Sequence, residues 1–173
     1  MYKIGENVLY GSEGICKITD IVTRTINNQE KDFYLLTSSS NKINILVPLN
    51  SELSLAKMRK ILSENEIYKL IEAMPNNETI WIKDKNVRKK KYTEIIVKGN
   101  HKQLVKLIKT LYLNKQEQIK KGKKFHAQDM YLLEMAEKML YEEFSYTLNI
   151  KPEEVLPFII KNIKVKEKGK NNV

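Results

Sequence analysis

The chain has 173 residues, 42% hydrophobic and 30% charged, with a net charge of +10. That length fits one sizeable domain or two small ones, and the apolar fraction is enough to bury a core, which excludes a disordered tail. No apolar run approaches the roughly 20 residues that span a bilayer, and the N-terminal MYKIGENV lacks the basic-then-apolar layout of a secretory signal. A soluble cytoplasmic protein is expected. The single Cys16 cannot form an internal disulfide, and with His101 and His126 alone beside it there is no zinc-ligand spacing, so neither metal nor cofactor is expected.

Charge is distributed unevenly. Residues 1–52 carry five basic and six acidic side chains, and the remainder 26 basic and 15 acidic, a net −1 against +11. Two parts of different charge predict two modules with different partners, the second a polyanion, unless the lysines are merely solvated. Three arginines, Arg24, Arg59 and Arg88, stand among 31 basic residues, and their planar fork suits interface ion pairs and phosphate.

Residues 1–52 read as a small all-β unit of short apolar runs between turn residues. Val8-Leu9-Tyr10 precedes a turn with glycines at both ends, Gly11-Ser12-Glu13-Gly14, and a β-branched run follows over 15–25. Asn27-Asn28 predicts a tight turn before Phe33-Tyr34-Leu35-Leu36, because asparagine tolerates the left-handed conformation that hairpins need. A last strand over 43–47 ends at Pro48, which cannot donate to a ladder. Four or five strands in so short a stretch predict a strongly bent sheet or small barrel. The glycines do not follow a strand and open a helix, so no nucleotide loop is present. Without a nucleophile and base, a carboxylate pair or such a loop, the module reads as a protein-docking piece, and no enzymatic activity is expected.

From Leu53 the period becomes helical. Ser63-Glu64-Asn65-Glu66 is a capping box, with Leu62 and Ile67 placed for a hydrophobic staple. Its helix runs to about Met74, stopped by Pro75-Asn76-Asn77, a loop that with Glu78 presents Trp81. Asp84 or Asn86 caps a helix containing Val87, Tyr92, Ile95 and Ile96 that breaks at Gly99-Asn100. Leu104, Leu107, Ile108 and Leu111 form the apolar stripe of the next helix, which ends in the lysine-rich connection around Gly122. A helix over 127–148 buries Leu133, Ala136, Leu140 and Phe144, with Leu132, Met135 and Met139 flanking. Pro152 opens a last helix, and a frayed tail is expected from Lys164. His101 and His126 fall near helix starts in polar surroundings and are expected to be solvated.

The densest basic run lies within TIWIKDKNVRKKKY, residues 79–92, which also holds the one tryptophan. Trp81 followed by Lys85, Arg88, Lys89, Lys90 and Lys91 suits a surface that meets nucleic-acid backbone and bases. A core tryptophan beside a solvated helix face is the other reading.

Laid out in order, the sequence resembles the CarD/CdnL family of bacterial RNA polymerase-binding transcription regulators. The segments that carry the resemblance are YKIGENVLY (2–10), Gly14, IVTRTI (21–26), Val47-Pro48, Lys98-Gly99-Asn100, which is similar to the family's Ser-Gly-Asp turn, LIKTLY (107–112) and AEKML (136–140). The resemblance implies an α+β protein: a small Tudor-like β-barrel domain, residues 1–52, followed by an all-α bundle, residues 53–173. The barrel is implied to dock on the β subunit of RNA polymerase. The bundle is implied to touch promoter DNA at the upstream edge of the transcription bubble, where a tryptophan wedges into the minor groove and slows collapse of the open complex. Trp81 is the candidate wedge, although its spacing to Gly99 is a few residues longer than in actinobacterial members. Arg24 corresponds to the docking arginine. A second docking arginine is replaced by Leu46, which with Val47 and Pro48 completes the implied seam. The expected protein is thus a monomeric regulator with two partners, polymerase and weakly held promoter DNA. The alternative is a polymerase adaptor whose helical domain recruits another protein without touching DNA.

Overall fold

The computed structural model describes residues 1–76 and 78–170, with Ser12 and residues 164–170 given by backbone alone, and divides into two compact units, Met1–Ile61 and Leu62–Val173.

The first unit is an antiparallel sheet. β1 (Asn7–Tyr10) passes through a short 3-10 turn into β2 (Ile15–Ile26), and β3 (Gln29–Ser38), β4 (Asn44–Pro48), the single-turn helix α1 (Glu52–Leu55) and β5 (Met58–Lys60) follow. Asn27 and Asn28, at φ 53° and 59°, form the tight turn between β2 and β3, the left-handed pair that matches the twist of the flanking strands. A register shift between Ile18 and Asp20 bends β2. Val8, Cys16, Ile18, Tyr34, Leu36, Val47 and Met58 meet in one buried cluster.

The strand order is β4-β3-β2-β1-β5, so the sheet is open and the expected barrel does not close. Its two ends are short strands, of five and three residues, with too few ladder positions to wrap the core. Side chains cover it instead: Tyr2, Leu49 and Leu55 pack against the cluster. Tyr2 is tied down by Tyr34, whose hydroxyl accepts from the Tyr2 N–H at 3.2 Å and donates to the Tyr2 carbonyl at 3.3 Å. β5 pairs with β1 through Val8↔Lys60 and Tyr10↔Met58. Residues whose periodicity reads as helical thereby complete the sheet, and the units part between Ile61 and Leu62 rather than after residue 52.

In the second unit α2 (Glu64–Ala73) runs into a 3-10 turn (Met74–Asn76), and α3 (Lys85–Lys98), α4 (His101–Lys120), α5 (Ala127–Leu148) and α6 (Pro152–Lys170) follow. Asn77, within the loop expected to present Trp81, lies outside the described residues, as do the side chains of the tail expected to fray. The capping box forms: Glu66 Oε2 accepts from the Ser63 N–H at 2.8 Å and Ser63 Oγ accepts from the Glu66 N–H at 3.4 Å. Asp84, not Asn86, caps α3. Gly99, at φ 62°, ends it, and the Asn100 side chain caps α4 by accepting from the Gln103 N–H.

Two clusters form the core. Tyr92, Ile95 and Ile96 of α3 meet Leu104, Leu107 and Leu111 of α4 and Leu132, Leu133, Ala136 and Met139 of α5. Ile67 and Ile71 of α2 meet Val105, Leu140, Phe144 and the α6 residues Val155 and Ile159. Helix α5 serves both, which is why positions that flank its expected stripe are also buried. His101 is not solvated as expected. Its Nε2 lies 2.6 Å from Oε2 of fully buried Glu143, whose other oxygen accepts from the Leu62 N–H at 2.8 Å. A buried carboxylate requires such partners.

Candidate functional site

The segment ahead of α3 alternates half-buried Ile80, exposed Trp81 and half-buried Ile82, with both isoleucines packed on the α3–α4–α5 cluster. Among the described residues it has no strand partner, and side chains satisfy its backbone. The Ile80 N–H donates to Thr110 Oγ1 at 2.9 Å, the Tyr92 hydroxyl donates to the Ile80 carbonyl at 2.8 Å, and Arg88 Nη1 donates to the carbonyls of Ile82 and Lys83 at 2.8 and 3.1 Å. Burial raises the Tyr92 phenol above its ordinary range, keeping it a donor. Anchored on both sides, Trp81 is held at the surface with 38% of its area exposed.

Arg88 sits beneath it. Its guanidinium carbon lies 4.4 Å from the centre of the indole, a cation–π contact that contributes about 0.5–2 kcal/mol. Its Nε and Nη2 grip the two carboxylate oxygens of Asp129, in the first turn of α5, each at 2.8 Å. Hydrogen bonding to Asp129 holds the guanidinium above its already high ordinary range. With 4% of its surface exposed and its donors directed to Asp129 and two carbonyls, Arg88 cannot serve as the phosphate contact expected of it. It is a support for Trp81. No sequence pattern signals its partner, which lies 41 residues away.

Lys85, Lys89, Lys90 and Lys91 are exposed. On α3 the buried side is Arg88, Tyr92, Ile95 and Ile96, so Lys90 faces away while Lys89 and Lys91 flank it to either side. The run therefore fans around the helix and does not form one flat patch. Lys91 is 3.8 Å from Glu94. Trp81 also lines an open groove of about 500 Å³ together with Thr79 and the α4 residues Thr110, Leu113, Asn114, Glu117 and Gln118. A separate apolar cavity of about 290 Å³ opens between the 3-10 turn, α4, α5 and α6, walled by Val105, Ile108, Leu140, Ile159 and Ile163, with exposed Tyr112, Leu156 and Ile160 around it.

In the sheet unit the register sorts the expected docking residues. Val22↔Phe33↔Pro48 and Asp20↔Leu35↔Leu46 run across three strands, and Arg24↔Lys31 lies one step beyond. Side chains alternate in a strand, so Arg24, Leu46 and Pro48 share one face. Arg24 and Leu46 are exposed and Pro48 is half-buried. Val47 points to the opposite side and is fully buried in the cluster, so its side chain supports the seam from within and offers no contact to a partner. β4 is one edge of the sheet.

The family model for the CarD-like/TRCF RID domain matches residues 2–62. The chain carries a CarD-like RID domain. Its span coincides with the compact sheet unit, and it bears out, for that unit, the resemblance read from the sequence. A RID domain points to an RNA polymerase-interacting, transcription-related protein. No curated protein matches the chain. Among the described residues no helix is long and apolar enough to cross a membrane, and no group of three or more His, Cys, Asp or Glu is placed to hold a metal ion.

Proposed function

We propose that the protein is a cytoplasmic transcription regulator that docks on the RNA polymerase β subunit through its RID domain and contacts promoter DNA at the upstream edge of the bubble, stabilising or tuning the open complex. One copy suffices, and no catalytic step is involved. The observation that carries this reading is the presentation of Trp81: an exposed indole, held by a backbone that side chains anchor and backed by a buried arginine, in the basic half of the chain. An apolar wedge favours already distorted base steps, and the exposed lysines around α3 neutralise phosphates without reading sequence. The sheet face of Arg24, Leu46 and Pro48 supplies the polymerase contact. Joining the two modules raises the effective concentration of the weaker, DNA contact.

The test pairs two variants in the full chain. Trp81→Ala should bind polymerase normally yet shorten open-complex lifetime, and an unchanged lifetime would remove the wedge. Arg24→Glu should abolish co-purification with the β subunit while leaving salt-dependent DNA affinity intact. A second reading, an adaptor whose helical unit recruits another protein, is favoured by the apolar cavity ringed by Tyr112, Leu156 and Ile160. Negligible affinity for promoter-fork DNA at moderate salt would select it.

A further inference from the structure

The groove beside Trp81 has a chemistry that a wedge does not require. Asn114 and Gln118 stand one turn apart on the same face of α4, both half-buried and both lining the groove with the indole. Neither side-chain amide has a hydrogen-bond partner among the described residues. Leu113 adds an apolar surface, and at the rim Glu117 is paired with Lys121. An anion is the wrong occupant, because a carboxylate lines the groove and the nearby guanidinium is consumed by Asp129. A flat, neutral group with donors and acceptors on its edge is the right one. An aromatic platform accepts any base, and carboxamides both donate to and accept from base edges.

We propose that this groove is a nucleobase site, in which one unstacked DNA base, turned out at the melted edge of a duplex, stacks on Trp81 while Asn114 and Gln118 hydrogen-bond its edge. The volume of about 500 Å³ lies in the range of small-ligand sites. Arg88 occupies one side of the indole and the base takes the other. This rests on Trp81 being the DNA contact, and it changes what that contact does. The protein captures an opened base as well as wedging beside it, so the open state is favoured directly.

The experiment uses the full chain at low salt and two forked duplexes, identical except that one carries an abasic residue in place of the first unpaired nucleotide. The wild type should bind the intact fork about tenfold more tightly than the abasic one, a difference of about 1.4 kcal/mol. The Asn114→Ala/Gln118→Ala double variant should bind both forks equally, at the wild type's abasic-fork affinity, with unchanged circular dichroism. Equal wild-type affinity for the two forks, with Trp81→Ala still weakening both, would overturn the base site and leave the wedge standing. No effect of Trp81→Ala on either fork would remove both. Discrimination that survives in the double variant would also overturn the assignment to these amides.

Discussion

Arg24 and Arg88 are two of the chain's three arginines, and the two units treat them in opposite ways. On the sheet, Arg24 is an exposed position of the β2–β3 ladder, opposite Lys31 and with no carboxylate partner among the described residues. In the helical unit Arg88 lies almost wholly buried, gripped by Asp129 and stacked under Trp81. A ladder satisfies its own backbone, so its outward side chains are free to meet a partner. The segment ahead of α3 has no ladder among the described residues, and Arg88, Tyr92 and Thr110 complete its hydrogen bonds. An arginine near a tryptophan in a basic run is therefore weak grounds for a phosphate contact when a nearby backbone lacks partners.

The sharpest way to break that contrast is Asp129→Ala, which leaves Arg88 buried without its carboxylate. Removing one partner of a buried ion pair costs about 3–5 kcal/mol, and urea unfolding followed by Trp81 fluorescence, the one tryptophan, reads this unit. A loss under about 1 kcal/mol would mean that the pair is not structural. Next in size is the pair of neighbours on β4. Val47→Ala should destabilise the sheet unit by about 2 kcal/mol, since it empties space in a packed cluster, while Leu46→Ala should cost under about 1 kcal/mol. Cys16 is the probe for this unit. Burial pushes its thiol up to about 11, so it should resist alkylation at pH 8 until the sheet opens, and sooner in Val47→Ala.

A smaller effect separates burial from pairing on α5. Burial raises the Glu137 carboxyl above its ordinary range, against the opposing pull of Lys115 and Tyr141. A carboxyl with a raised folded-state pKa binds its proton more tightly when folded, so stability falls as pH rises through the ordinary range towards the raised value. Glu137→Gln should therefore raise the melting temperature at neutral pH and lose that advantage in acid below about pH 4. Smallest of all should be the effect of Arg24→Glu on folding, within about 0.5 kcal/mol by thermal or urea unfolding. Placed beside the loss of polymerase binding proposed for it, that near-silence would distinguish a docking residue from a structural one.

Much of the architecture is legible in the residues because its causes are local. Asn27-Asn28 dictates the hairpin, Ser63 and Glu66 the start of α2, Gly99-Asn100 the break between α3 and α4, and the spacing of Leu104, Leu107 and Leu111 the buried side of α4. The resemblance read in the first 52 residues falls within the span 2–62 of the RID match, which extends ten residues further. The errors come from places where distant partners decide. Met58–Lys60 becomes a strand because β1 has a free edge to offer it, a fact absent from three residues of sequence. His101 is engaged because Glu143 is buried opposite it, and Val47 parts from Leu46 and Pro48 because one register position separates two faces.

Residue order alone specifies two modules of unlike charge, the turns and caps that punctuate them, and a lone tryptophan in a basic run. Packing set how that run is arranged: Asp129 draws Arg88 inward, Ile80 and Ile82 anchor on the core, and α4 brings Asn114 and Gln118 beside the indole. Periodicity and capping are written in neighbouring residues. Burial of a charge depends on which partner the fold delivers, and that is settled only when the helices pack.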